Sequence, residues 1–207
     1  MTNSYITDEE YIESVRKHCK ESVDFFNSAN RPKRETWVVN EFLLNLGVSF
    51  SQKELVHVVD DPPDVRFRQA EFEIKEILDP DRKRHAEFKA SLKKATEAKT
   101  PQDLLEKYEP KDIFYTDVYN LVELATRKYS RKYPLAVRKE LDLLFYVELF
   151  DVRGYIGAPL PPEDLLINLG FRSVSFVMGP ISCVLMCSKN APEFLSKEGQ
   201  RVMRKVL

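Results

Sequence analysis

Three side chains between Pro62 and Leu78 (PPDVRFRQAEFEIKEIL) have the types and the spacing for chemistry. Asp64 follows two prolines, and Glu73 and Lys75 stand two residues apart in a stretch that reads as β-strand. Successive side chains of a strand alternate faces, so Glu73 and Lys75 point one way and Phe72 and Ile74 the other, into a core. If the chain reverses between Asp64 and Glu73, the two carboxylates converge at one end of neighbouring strands. Such a pair suits a hard cation, Mg2+ or Mn2+, which takes one or two carboxylates and completes its shell with waters and substrate phosphate. The main-chain carbonyl of Ile74 can add a ligand. A cation held there polarises a phosphate and acidifies a bound water. Lys75 can orient that water, take its proton or stabilise the charge that develops. This is equipment for hydrolysing a phosphodiester.

The elements that must position these residues follow from periodicity and punctuation. Thr7-Asp8-Glu9-Glu10 is a capping box and predicts a helix to about Ser28. Asn30-Arg31-Pro32 interrupts it, and a second helix runs from about Lys33 to Leu46, with Gly47 as its stop. Glu54 to Val59 and Val65 to Leu78 read as strands, the second bent near Arg68-Gln69-Ala70. Asp79-Pro80-Asp81 predicts a helix to Ala98, Thr100-Pro101 a short one to Tyr108, and Thr116 one that ends before Pro134. LDLLFYVELF (Leu141 to Phe150) is apolar almost throughout, as in a strand buried on both faces. Gly154, Gly157 and the prolines from Pro159 to Pro162 predict a loop, and Ser173 to Ser188 predicts two strands broken at Gly179-Pro180. The tail from Ala191 reads as an exposed helix. The fold class is α/β, a mixed sheet flanked by helices.

The chain's 207 residues suit a single domain, 1–207. The composition, 43% hydrophobic and 31% charged, is that of a soluble globular protein. No apolar run is long enough to span a bilayer, and the acidic N-terminus lacks the order of a signal peptide. Three cysteines fit a reducing cytoplasm, with Cys183 and Cys187 as buried thiols. Only 6 glycines occur and none forms a phosphate-cradling loop. A net charge of -1 weighs against a uniformly basic nucleic-acid binder and leaves room for a local basic groove.

Pro63-Asp64 with Glu73-Ile74-Lys75 resembles the PD-(D/E)xK motif of the restriction-endonuclease-like nucleases. The context is similar too: a helix, a three-stranded meander with the motif across its second and third strands, then a helix. More narrowly, PPDVRFRQAEFEIKEILDPDRKRHAEFK resembles a small bacterial family of uncharacterised endonuclease candidates. The resemblance implies a three-layer nuclease core over about 33–190, preceded by a helix (about 1–32) and followed by a tail (about 191–207). It implies Asp64 and Glu73 as metal ligands, Lys75 as the catalytic lysine, Mg2+ or Mn2+ as cofactor, and a nucleic acid, DNA above RNA, as substrate. Some relatives add an acid from the preceding helix, and Glu41 is the candidate here. Arg82, Arg84 and Lys89, within a basic stripe, can contact phosphates or form an ordinary solvated helix face. Arg127 to Tyr133 mixes cations with tyrosines, which suits a nucleic-acid backbone and equally suits a helix C-terminus. The alternative function is a non-catalytic nucleic-acid-binding or assembly module on the same fold. In that case Glu73 and Lys75 are a solvated ion pair, and Val174 to Val177 with Ile181 to Met186 can supply a homodimer interface.

Overall fold

Local signals and long-range packing come together in a computed structural model that describes residues 6–205 apart from 61 and 158. The chain packs as two compact units: residues up to 34 with 80–109, and residues 35–79 with 110–207.

The first unit is helical. Helix α1 (Asp8–Phe25) starts at the expected capping box, with the Thr7 hydroxyl accepting the Glu10 N–H at 3.2 Å and the Glu10 carboxylate accepting the Thr7 N–H at 2.8 Å. Helix α2 (Arg31–Asn45) begins in this unit and continues in the second. Helix α3 (Arg84–Glu97) lies along α1, where Phe26 stacks on Phe88 at 4.9 Å and Ala95 is fully buried. It starts later than expected because Asp81 takes a φ of 63°, outside the helical region. The short helix after Thr100 is one 3-10 turn, Pro101–Leu104. The expected basic stripe is also corrected. Arg84 is buried with its guanidinium 4.6 Å from the Phe26 ring, Arg82 is folded against Glu87 at 2.7 Å, and of the three named cations only Lys89 is exposed.

The second unit is built on a seven-stranded mixed sheet. Its first strands are β1 (Leu55–His57), β2 (Val65–Phe67) and β3 (Ala70–Leu78), an antiparallel meander with the expected reversal at Arg68-Gln69. After β4 (Lys111–Phe114), α4 (Tyr115–Lys132) and the single turn α5 (Leu135–Arg138) comes β5 (Asp142–Glu148), parallel to β3. Then follow β6 (Val152–Ile156), α6 (Asp164–Ile167), β7 (Ser173–Met178), β8 (Ile181–Cys187), α7 (Glu193–Ser196) and β9 (Val202–Arg204). The sheet order is β1-β2-β3-β5-β7-β8-β9, and β4 and β6 form a separate parallel pair. The tail read as a helix therefore contains the last edge strand, paired to β8.

Helices cover both sheet faces. α2 brings Val38, Val39, Phe42, Leu43 and Leu46 against Phe72, Ile74, Leu144 and Val184. It stops as expected at Gly47 (φ 72°), where the Val48 N–H bonds the Leu43 carbonyl and the Gly47 N–H that of Leu44. α4 brings Val118, Tyr119 and Val122, and its C-cap brings Tyr133, against Ile77, Leu143, Phe145, Val174 and Phe176. β7 and β8 lie wholly inside, every residue from Ser173 to Met186 but the Gly179-Pro180 turn being buried, so they offer no homodimer surface. Burial pushes the Cys183 and Cys187 thiols up to about 12; Cys183 is the buried thiol expected, whereas Cys187 is only half-buried. Among the described residues no helix is long and apolar enough to cross a membrane.

Candidate active site

Strand parity decides which face the motif occupies. Phe72 and Ile74 enter the α2 side, so Glu73 and Lys75 point to the α4 side with Ile77. Asp64 enters from the start of β2. Its N–H donates to the Phe72 carbonyl at 2.9 Å, and its Oδ2 accepts the Ile74 N–H at 2.8 Å. In an extended strand the N–H and C=O of one residue point to the same edge. The Ile74 carbonyl therefore faces the Asp64 side, beyond the last β2–β3 pair, Val65–Phe72.

The three side chains meet. Lys75 Nζ donates to Glu73 Oε1 and lies 3.8 Å from Asp64 Oδ2. Asp64 is 3% exposed and Glu73 fully buried, while the lysine retains 13% of its side-chain surface. Burial first, and then the Asp64 carboxylate, push the Glu73 carboxyl above the usual glutamate range, against the opposing pull of Lys75 and Tyr133. Glu73 Oε2 is buried with no hydrogen-bond partner among the described residues.

The other expected residues lie elsewhere. Glu41 accepts from Asn40 Nδ2 at 3.1 Å and sits 4.0 Å from Lys205 Nζ. It belongs to α2, on the sheet face opposite Glu73, and so does not join the site. The acid that α2 turns inward is Glu35, which pairs with His57 of β1 at 3.1 Å on that same opposite face. Sequence reasoning noted Tyr129 and Tyr133 in a run of mixed cations and tyrosines but did not place them here, where α4 and its C-cap residue bring them. Tyr133 Oη donates to Glu73 Oε1 at 2.5 Å, and the Tyr129 ring centroid is 5.6 Å from Lys75 Nζ. Their i, i+4 spacing beside cations was the available signal.

A family model described as "Putative endonuclease, protein of unknown function (DUF1780)" matches residues 7–206. The chain belongs to this family. The family match spans the motif, both tyrosines and every element of the sheet. Among solved structures the chain is similar to a protein of unknown function from Pseudomonas aeruginosa strain PAO1, described as of the monooxygenase superfamily. The TM-score is 0.65 and the identity 25%, over 98% of this chain and 96% of that one. No curated protein matches the sequence.

Proposed function

We propose that this chain is a metal-dependent nuclease that hydrolyses phosphodiester bonds, in DNA, at the site of Asp64, Glu73 and Lys75. The observation that carries this reading is the meeting of two buried acids and one amine, Lys75 Nζ bonding Glu73 Oε1 and lying 3.8 Å from Asp64 Oδ2, with the second buried oxygen of Glu73, Oε2, having no hydrogen-bond partner among the described residues. Two supports stand beside it. The family's description names an endonuclease. The order of α2, a three-stranded antiparallel meander with the motif across its second and third strands, and a following helix is the one that the resemblance to restriction-endonuclease-like nucleases calls for. The monooxygenase description belongs to the solved neighbour, whereas the residues assembled here are acids and an amine.

The residues fit a hard divalent cation. A buried carboxylate oxygen is costly unless a donor or a cation reaches it. Among the described residues no third histidine, cysteine or acid joins Asp64 and Glu73. The protein's share of the ligands would be those two carboxylates and the Ile74 carbonyl, a set typical for Mg2+. When bound, the cation supplies Lewis acidity and an acidified water. Lys75 touches Glu73 and stands near Asp64, so it reaches whatever they hold. It donates hydrogen bonds to the attacking water or the phosphoryl oxygens and stabilises the charge that develops there. Tyr133 positions Glu73 by holding Oε1, which leaves Oε2 for the ligand role.

Supercoiled plasmid tests this reading. Nicking should require Mg2+ or Mn2+, stop with EDTA and fall at least about 100-fold in Lys75→Met, which keeps its Mn2+ binding. A folded protein that takes up neither ion by calorimetry, even with DNA present, sinks the ligand assignment and leaves a binding module. Tyr133→Phe should weaken Mn2+ binding by about 10-fold to 100-fold. The deficit should shrink at higher pH, because the lost hydrogen bond favours the ionised form of Glu73. A pH-independent deficit means that the tyrosine acts through packing alone.

A further inference from the structure

The last two turns of α4 carry a row of exposed cations. Lys128, Arg131 and Lys132 stand at i, i+3 and i+4, which places them on one helix face, and all three are exposed. None pairs with a carboxylate among the described residues, in contrast to Arg127, which is bonded to Glu123. Like charges at this spacing repel and destabilise a helix. The helix dipole offsets part of that repulsion at a C-terminus. It does not account for where the row stands.

The row adjoins the tyrosines that line the candidate site. Lys128 Nζ is 5.8 Å from the Tyr129 ring centroid, and Lys75 Nζ is 5.6 Å from the same ring. Lys132 Nζ is 3.4 Å from Tyr133 Oη, which in turn donates to Glu73. Each exposed lysine is thus one aromatic ring away from a residue of the site. A phosphodiester polymer with its scissile phosphate at Glu73 and Lys75 carries further phosphates on both sides of it. A cation one ring away is placed to meet those neighbours.

We infer that this face of α4 holds the nucleic-acid backbone flanking the scissile phosphate, with Lys128, Arg131 and Lys132 as its phosphate contacts. The inference rests on the nuclease reading of the site. Contacts of this kind position the polymer and carry no base sequence. They also make binding strongly salt-dependent, because each phosphate contact releases counterions.

The test is fluorescence anisotropy of the full chain with labelled duplex DNA and, in parallel, single-stranded RNA, in EDTA and over a range of KCl. Lys128→Glu/Lys132→Glu should weaken binding at least about 10-fold and flatten the log–log salt slope by about two. Lys128→Gln/Lys132→Gln should flatten the slope similarly with a smaller loss. Circular dichroism of this milder pair guards against damage to the helix. Lys17→Glu/Lys20→Glu on α1 makes the same change in net charge and should leave affinity and slope near wild type. Binding of either polymer that depends on the α4 pair supports the row, and the tighter polymer names the substrate. Equal losses for the α1 and α4 pairs, no loss for the α4 pair, or no binding of either polymer by wild type overturns it. If the plasmid assay shows no nicking while binding still depends on α4, the nuclease reading falls and the surface stands. Nicking with α4-independent binding is the reverse result.

Discussion

Glu73→Gln is expected to end turnover and to raise stability at neutral pH. Glu73 is fully buried, and burial together with Asp64 holds its carboxyl above the usual range. Below the ordinary carboxyl pKa the side chain is neutral in both the folded and the unfolded chain. As pH rises, the unfolded chain ionises first while the folded one keeps its proton. Wild-type stability therefore falls until the raised folded-state pKa is passed and then levels off. Glutamine has no such titration. The stability gap between variant and wild type should open across that window and persist to neutral pH. A gain of about 1 kcal/mol, or roughly 2–4 °C for a chain of this size, is expected. Removing an outer partner of a metal ligand commonly costs about 10-fold to 100-fold, so loss of the carboxylate itself should cost at least about 100-fold in nicking. Melting curves across pH and the plasmid assay check both halves. A variant that melts below wild type at neutral pH means that the bonds from Lys75 and Tyr133 outweigh the cost of burial. A variant that still nicks removes Glu73 from the ligand set.

The second large effect is expected at the base of the same strands. Asp142, at the start of β5, is fully buried and stands opposite Phe72 of β3 and Ser173 of β7. Both Arg172 Nε, at 3.1 Å from Oδ1, and a second guanidinium nitrogen bond its carboxylate. The Ser173 hydroxyl donates at 2.8 Å and the Glu71 N–H at 2.9 Å, while Arg172 also reaches the Gln69 carbonyl at 3.1 Å. The network ties β5 and β7 to the hairpin that delivers Glu73. Arg172→Ala leaves a buried carboxylate with a hydroxyl and an amide, and should cost about 3–5 kcal/mol in denaturant unfolding. Arg172→Lys keeps the charge without the fork and should cost less. Asp142→Asn/Arg172→Met should recover part of the loss, and the double-mutant cycle isolates the pair. A cost under about 1 kcal/mol for Arg172→Ala means that water or a proton reaches Asp142.

Much of the site was legible because its signals are local. The hairpin at Arg68-Gln69 and the two-residue alternation of β3 suffice to bring Asp64, Glu73 and Lys75 together. Other errors trace to non-local causes. β6 was read as loop because it contains Gly154, yet a Cβ there would meet Asp112 Oδ1 of β4 at 2.9 Å, so the glycine marks close approach within a strand pair. β9 is three residues long and exists as an edge partner of β8, which no local pattern announces.

The amino-acid pattern by itself determined the four long helices, the meander, the buried strands and the two acids with their lysine, because each rests on neighbours within a few residues. Only the tertiary structure decided which helix covers which sheet face. That choice brings Tyr133 to Glu73 across 60 residues of sequence and leaves Glu41 on the opposite face. A helix has the same periodicity whichever face it covers, and only the packing of its apolar stripe against a particular set of strands makes the assignment.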